Sequence, residues 1–75
     1  MEEKVLLAAL LELLTTAQAA ELLQVKTATL EQWRWRGCGP LFVKVGRSCR
    51  YRRGDLDSYL SGRTFDSTTA AQAAA

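Results

Sequence analysis

The chain has no histidine, and its two cysteines, Cys38 and Cys49, form no Cys-x-x-Cys pair. A tetrahedral zinc site draws on such side chains and would lack ligands, so no metal and no other cofactor is expected. There is no nucleophile elbow, no phosphate-cradling Gly-Lys motif and no carboxylate pair suited to a cleft, since Asp55 and Asp57 are accounted for at a helix start. An enzyme is therefore not expected. A secretory leader wants a positive n-region. This chain opens Met-Glu-Glu-Lys and places Glu12 inside its apolar run, although Ala17-Gln18-Ala19 imitates a cleavage site. The run Val5 to Leu14 is too short to span a bilayer. The expectation is a soluble cytoplasmic protein with reduced cysteines, no membrane contact and no small-molecule ligand.

Seventy-five residues make one domain, near the size at which folding alone is marginal. The net charge is only +2, but it is unevenly placed. Residues 1–31 hold Lys4 and Lys26 against Glu2, Glu3, Glu12, Glu21 and Glu31 and sum to −3. Residues 32–63 hold Arg34, Arg36, Lys44, Arg47, Arg50, Arg52, Arg53 and Arg63 against Asp55 and Asp57 and sum to +6. A polyanion would sit on that second half.

Residues 3–14 read as a leucine-rich helix. Its six leucines exceed what one small neighbour covers; they either pack on their own domain or form a self-association surface, for which Leu6, Leu7, Leu10 and Leu11 are the candidates. Thr15-x-x-Gln18 is a capping-box pattern, and it starts a helix from Thr16 to Leu23 that should bury Ala19, Ala20, Leu22 and Leu23. A short turn, Gln24-Val25-Lys26, leads into Lys26 to Gly37, where Leu30 and Trp33 share one face. The opposite face carries Ala28, Glu31, Gln32 and Trp35, with Thr27, Arg34 and Arg36 on the flanks. Small, hydrogen-bonding and cationic groups of this kind are what base edges and phosphates require. Gly37 should end the helix in the left-handed conformation. Two short helices about so brief a turn make a helix-turn-helix.

Phe42 to Val45 and Cys49 to Tyr51 flank Gly46-Arg47-Ser48, which predicts a hairpin. Pairing Val45 with Cys49 would set Val43 against Tyr51 on the inner face and Lys44 against Arg50 on the outer. Like charges directly opposite one another are unfavourable, so a phosphate backbone lying along Lys44, Arg47 and Arg50 would explain them. A last helix follows, with Leu56, Tyr59 and Leu60 facing inward and Gly62 at its end, and then a flexible tail.

The stretch Leu14 to Arg63 resembles the small winged helix-turn-helix proteins of the excisionase and MerR-like group. The matching pieces are Leu14-Thr15-Thr16-Ala17-Gln18-Ala19-Ala20-Glu21-Leu22-Leu23, Thr29-Leu30-x-x-Trp33-Arg34, Gly37-x-Gly39-Pro40-x-Phe42-Val43-Lys44-Val45-Gly46-Arg47, and Arg50-Tyr51-Arg52-Arg53-x-Asp55-Leu56. The resemblance implies a mainly α fold with a β-hairpin wing, a recognition helix in the major groove, and a wing on adjacent backbone or minor groove. It also implies either a recombination directionality factor, binding side by side on repeated sites, bending DNA and aiding a tyrosine integrase, or an AlpA-type transcriptional regulator. The family usually has Ser where this chain has Lys26, which would let the helix begin at Thr27.

The expected organisation is therefore a leucine-rich helix over 1–14, a winged helix-turn-helix over 15–62 and a tail over 63–75. Thr27, Ala28, Glu31 and Gln32 are expected at base edges, and Arg34, Arg36, Lys44, Arg47 and Arg50 at phosphates. Thr29, Trp35, Ser48 and Arg52 complete the expected DNA-contacting set. Phe65 packs on the last helix or joins a homo-oligomer contact. The rival reading is a small adaptor whose cationic half binds an acidic protein.

Overall fold

The computed structural model describes residues 12–74. Strand β1 (Leu13–Thr15) runs directly into helix α1 (Thr16–Leu23), and α2 (Thr27–Arg36) follows after a short turn. Strands β2 (Val43–Val45) and β3 (Ser48–Arg52) form a hairpin, β3 leads without a linker into α3 (Arg53–Ser61), and α4 (Thr68–Ala74) comes last. The sheet is antiparallel with order β1-β3-β2. This is a winged helix-turn-helix with an added strand on the hairpin.

Thr15 closes the strand and opens the helix at once. Its hydroxyl accepts from the Gln18 amide at 3.1 Å and its own amide donates to Gln18 Oε1 at 2.9 Å, so both halves of the capping box are made. At the other end of α1, Gln24 adopts φ 58°, and the Val25 amide donates to the Ala20 carbonyl at 3.0 Å. That left-handed turn swings the chain into α2. There Lys26 holds the N-cap position without a side-chain hydrogen bond, and the helix begins at Thr27. It ends at Gly37, past which the Cys38 amide donates to the Trp33 carbonyl at 2.8 Å.

The core consists of Leu14, Ala19, Ala20, Leu30, Tyr51 and Leu56, with Leu23, Val25 and Trp33 packed against it. The alanines let α2 approach α1 closely. Gly39, at φ +85°, does the same for Trp33: a Cβ there would lie 3.0 Å from the indole. Trp33 in turn meets Tyr59 of α3 with ring centroids 6.1 Å apart.

Four expectations are corrected. The leucine-rich helix cannot run to residue 14, because Leu13 and Leu14 are in β1, opposite Arg52 and Tyr51; its candidate residues Leu6, Leu7, Leu10 and Leu11 lie outside the described residues. The hairpin register is one residue tighter than expected, with Val45 opposite Ser48, Lys44 opposite Cys49 and Val43 opposite Arg50. Gly46 is the cause: at φ 63° it takes the first position of a two-residue turn, a place where only glycine is comfortable, and a slip of one residue reverses the faces of β2. Leu22 and Leu60 are half exposed rather than buried. Residues 68–74 are helical rather than irregular, since alanine favours helix and Ser67 Oγ accepts from the Ala70 amide at 3.1 Å.

Gln24 holds a conformation that costs a residue with a Cβ about 1 kcal/mol. Gln24→Gly should therefore raise the unfolding free energy by roughly 0.5–1 kcal/mol in urea denaturation.

Candidate nucleic-acid interface

Helix α2 buries little of itself. Leu30 is fully buried, Thr29, Trp33 and Arg34 are partly covered, and Thr27, Ala28, Glu31, Gln32, Trp35 and Arg36 are exposed. Those six side chains line one continuous side of the helix, centred on Ala28 and Trp35 at i and i+7. Trp35 is 92 % exposed, so the indole takes no part in holding the fold. The Thr29 amide already donates to the Lys26 carbonyl at 2.9 Å, so with no side-chain cap from Lys26 it is the Thr27 and Ala28 amides, with the positive end of the helix dipole, that face an external acceptor.

Arg34, expected at a phosphate, stands apart from this surface and is engaged within the fold. It lies one turn after Leu30, on the inward side. Its Nη1 donates to Thr16 Oγ1 at 2.9 Å and to Tyr51 Oη at 3.1 Å. The guanidinium carbon also sits 5.8 Å from the centroid of the Phe42 ring and 5.9 Å from that of Tyr51, near the cation–π range. Burial opposes its charge, but the hydrogen bond to Tyr51 and the neighbouring Tyr51, Cys49 and Glu31 outweigh that, so its pKa lies above the ordinary arginine value and it stays cationic. One side chain thus joins the second helix, the start of the first, the central strand and the residue leading into the hairpin. No spacing rule identified it. Two clues were nonetheless present: Arg34 is at i+4 from the anchor Leu30, and a phenol on a buried strand needs a partner.

The hairpin carries its cations on both faces, as its register requires. Tyr51 and Leu14 define the inner face, from which the Tyr51 hydroxyl meets Arg34 of α2; Lys44, opposite Cys49, shares that face but lies beyond the core and is exposed. Arg50, opposite Val43 and Thr15, is on the outer face, where its Nη1 donates to the Cys49 carbonyl at 2.8 Å. The expected facing pair of Lys44 and Arg50 therefore does not exist, and the repulsion argued from it falls away. Arg47 is exposed at the turn and Ser48 is partly covered beside it. Arg52 is engaged with Asp55, Nε to Oδ2 at 2.8 Å, at the start of α3.

Among the described residues, no group of three or more His, Cys, Asp or Glu side chains could hold a metal ion, and no helix is long and apolar enough to cross a membrane. Every buried side-chain polar atom among them has a hydrogen-bond partner.

A family profile described as a helix-turn-helix domain matches residues 13–64, the span that β1 opens and α3 closes. No curated protein matches the chain.

Tyr51→Phe removes one acceptor from the Arg34 guanidinium and should lower stability by about 0.5–1.5 kcal/mol. Arg34→Ala, which leaves both the Tyr51 and Thr16 hydroxyls without their donor, should cost about 1.5–3 kcal/mol. Arg47→Ala should stay within about 0.5 kcal/mol. Urea midpoints of the three variants check the ranking.

Proposed function

Because the chain belongs to the helix-turn-helix domain family found in excisionase- and AlpA-like small DNA-binding proteins, we propose that it binds a specific double-stranded site and acts as an excisionase. In that role it is a recombination directionality factor of a phage or integrative element. It sits side by side with further copies on repeated sites, bends the DNA and promotes excision by a tyrosine integrase. An intracellular, nucleoid-associated location follows from binding DNA. Domains of this family are typically non-enzymatic.

The observation that carries the reading is the exposed side of α2 with Lys44 on the α2-facing side of the wing. Thr27, Ala28, Glu31 and Gln32 meet base edges, Gln32 pairing with adenine and Glu31 accepting from cytosine. Thr29 lies beside them. Trp35 presents a broad apolar surface that suits thymine methyl groups or sugar, and it has no packing role to compete with this one. A phosphate docks at the uncapped start of α2. Arg36, Lys44 and Arg47 hold the backbone, Arg47 with the option of a narrow minor groove. Arg50, on the other face of the wing, with Ser48 and Arg52, contributes less.

The three lysine and arginine contacts to phosphate give a slope of about −3 for log affinity against log salt. A single module of this size buries a small interface, so assembly along DNA supplies the rest of the affinity.

Electrophoretic shifts at several salt concentrations test the division of labour. Arg47→Ala and Lys44→Ala should each weaken binding to every sequence and flatten the slope by about 1, while Arg50→Ala should flatten it less. Gln32→Ala should relax preference at one base pair and leave the slope alone, at a cost of about 1–3 kcal/mol on the preferred site. Trp35→Ala should lose affinity without losing stability. Equal effects of Lys44→Ala and Arg50→Ala would contradict the orientation. Stimulation of excision by a co-expressed integrase separates an excisionase from an AlpA- or MerR-like transcription regulator, and a shift abolished by modest salt on every sequence would point to an adaptor for acidic proteins.

A further inference from the structure

A second concave surface runs between α1 and α3, and neither the recognition helix nor the wing uses it. It consists of two adjoining depressions that share Leu22 and Arg53; Glu12 and Leu14 line the first, Leu56 and Leu60 the second. Leu22 is 43 % and Leu60 47 % exposed, so two large aliphatic side chains open onto it. The charges on its rim are Glu12, Glu21 and Asp57 against Arg53 alone. An excess of carboxylates repels a phosphate backbone, and the leucines call for apolar chain.

The sequence supplies such chain at the edge of the groove. The Arg53 amide donates to the Glu12 carbonyl at 3.0 Å, and Arg53 Nε donates to the Glu12 carboxylate, also at 3.0 Å. The residue that follows segment 1–11 is therefore fastened to a side chain of the groove lining. That segment reads Met-Glu-Glu-Lys-Val-Leu-Leu-Ala-Ala-Leu-Leu, with five large aliphatic residues among its last seven. Eleven residues reach about 16 Å as a helix. Tethered at Glu12, the segment meets the groove at an effective concentration on the order of millimolar, which a separate copy reaches only in a millimolar solution.

We propose that residues 1–11 occupy this groove of their own domain, Val5, Leu6, Leu7, Leu10 and Leu11 covering Leu22 and Leu60. The leucines then complete a core that is small for an independent fold, and they are not free for contact with a neighbour. The proposal does not depend on what α2 binds.

Methyl NMR on the full chain tests it. With leucine and valine methyls labelled, Leu22 and Leu60 should show NOE cross-peaks to methyls of residues 5–11. An isotope-filtered spectrum of an equal mixture of labelled and unlabelled chains should lack them. Leu22→Asp combined with Leu60→Asp should speed amide exchange in residues 5–11 by roughly tenfold or more, with the amides of Leu30 and Tyr51 within about twofold of their original rates. Cross-peaks between chains in the mixture would give the groove to a second copy, and a full absence of cross-peaks would leave it without this occupant. Either result overturns the proposal.

Discussion

The fold turns on how one buried phenol is satisfied. Tyr51 is fully buried on the central strand, and its hydroxyl accepts from Arg34, which also donates to Thr16 at the start of α1. A hydroxyl left unpaired in that position would carry a penalty of a few kcal/mol, a large part of the stability of so short a chain. Arg34 removes the penalty and does more. Because its side chain comes from α2 and its acceptors from α1 and β3, the angle between helices and sheet is set by the reach of one guanidinium fork. The hydrophobic core alone, with small alanines and few large residues, would leave that angle loosely specified.

This constraint sorts the cations. Arg34 is engaged by Thr16 and Tyr51, Arg52 and Arg53 are tied to Asp55 and Glu12, and Arg63 lies over the Tyr59 ring with its guanidinium carbon 4.0 Å from the centroid. What remains outward on the α2 side is Lys26 and Arg36 at the two ends of the helix, Lys44 on the wing and Arg47 at its tip. A chain whose second half appears uniformly basic thus presents a narrower cationic surface than its composition suggests, beside a helix that gives only Leu30 wholly to the core. A helix so lightly buried presents six side chains on one exposed side, and its position is then maintained by its flank.

Much of this was legible locally. The capping box at Thr15 and Gln18, the glycine end of α2, the anchors Leu30 and Trp33 and the existence of the hairpin all depend on neighbours three or four residues apart, or on a turn residue. Three features were not. Leu13 and Leu14 continue an apolar run that reads as helix, and only the pairing with Arg52 and Tyr51 makes them a strand. Val43 looks like the inward residue of β2, yet Phe42 supplies the apolar partner of Tyr51, at 6.3 Å between centroids, and Gly46 shortens the turn so that Lys44 takes the inner face. Arg34 reads as one more surface arginine until the acceptors of two other elements arrive beside it.

By itself the sequence determined the elements and their order, because helix caps, turn glycines and apolar periodicity act over a few residues. It also determined the family, because the spacing of those same signals carries the resemblance. Tertiary structure alone decided the strand added by residues 13–15, the register of the wing, and which arginines face outward and which are bound within. Those outcomes depend on hydrogen bonds and contacts between residues as far apart as Glu12 and Arg53, whose partners no local pattern can name.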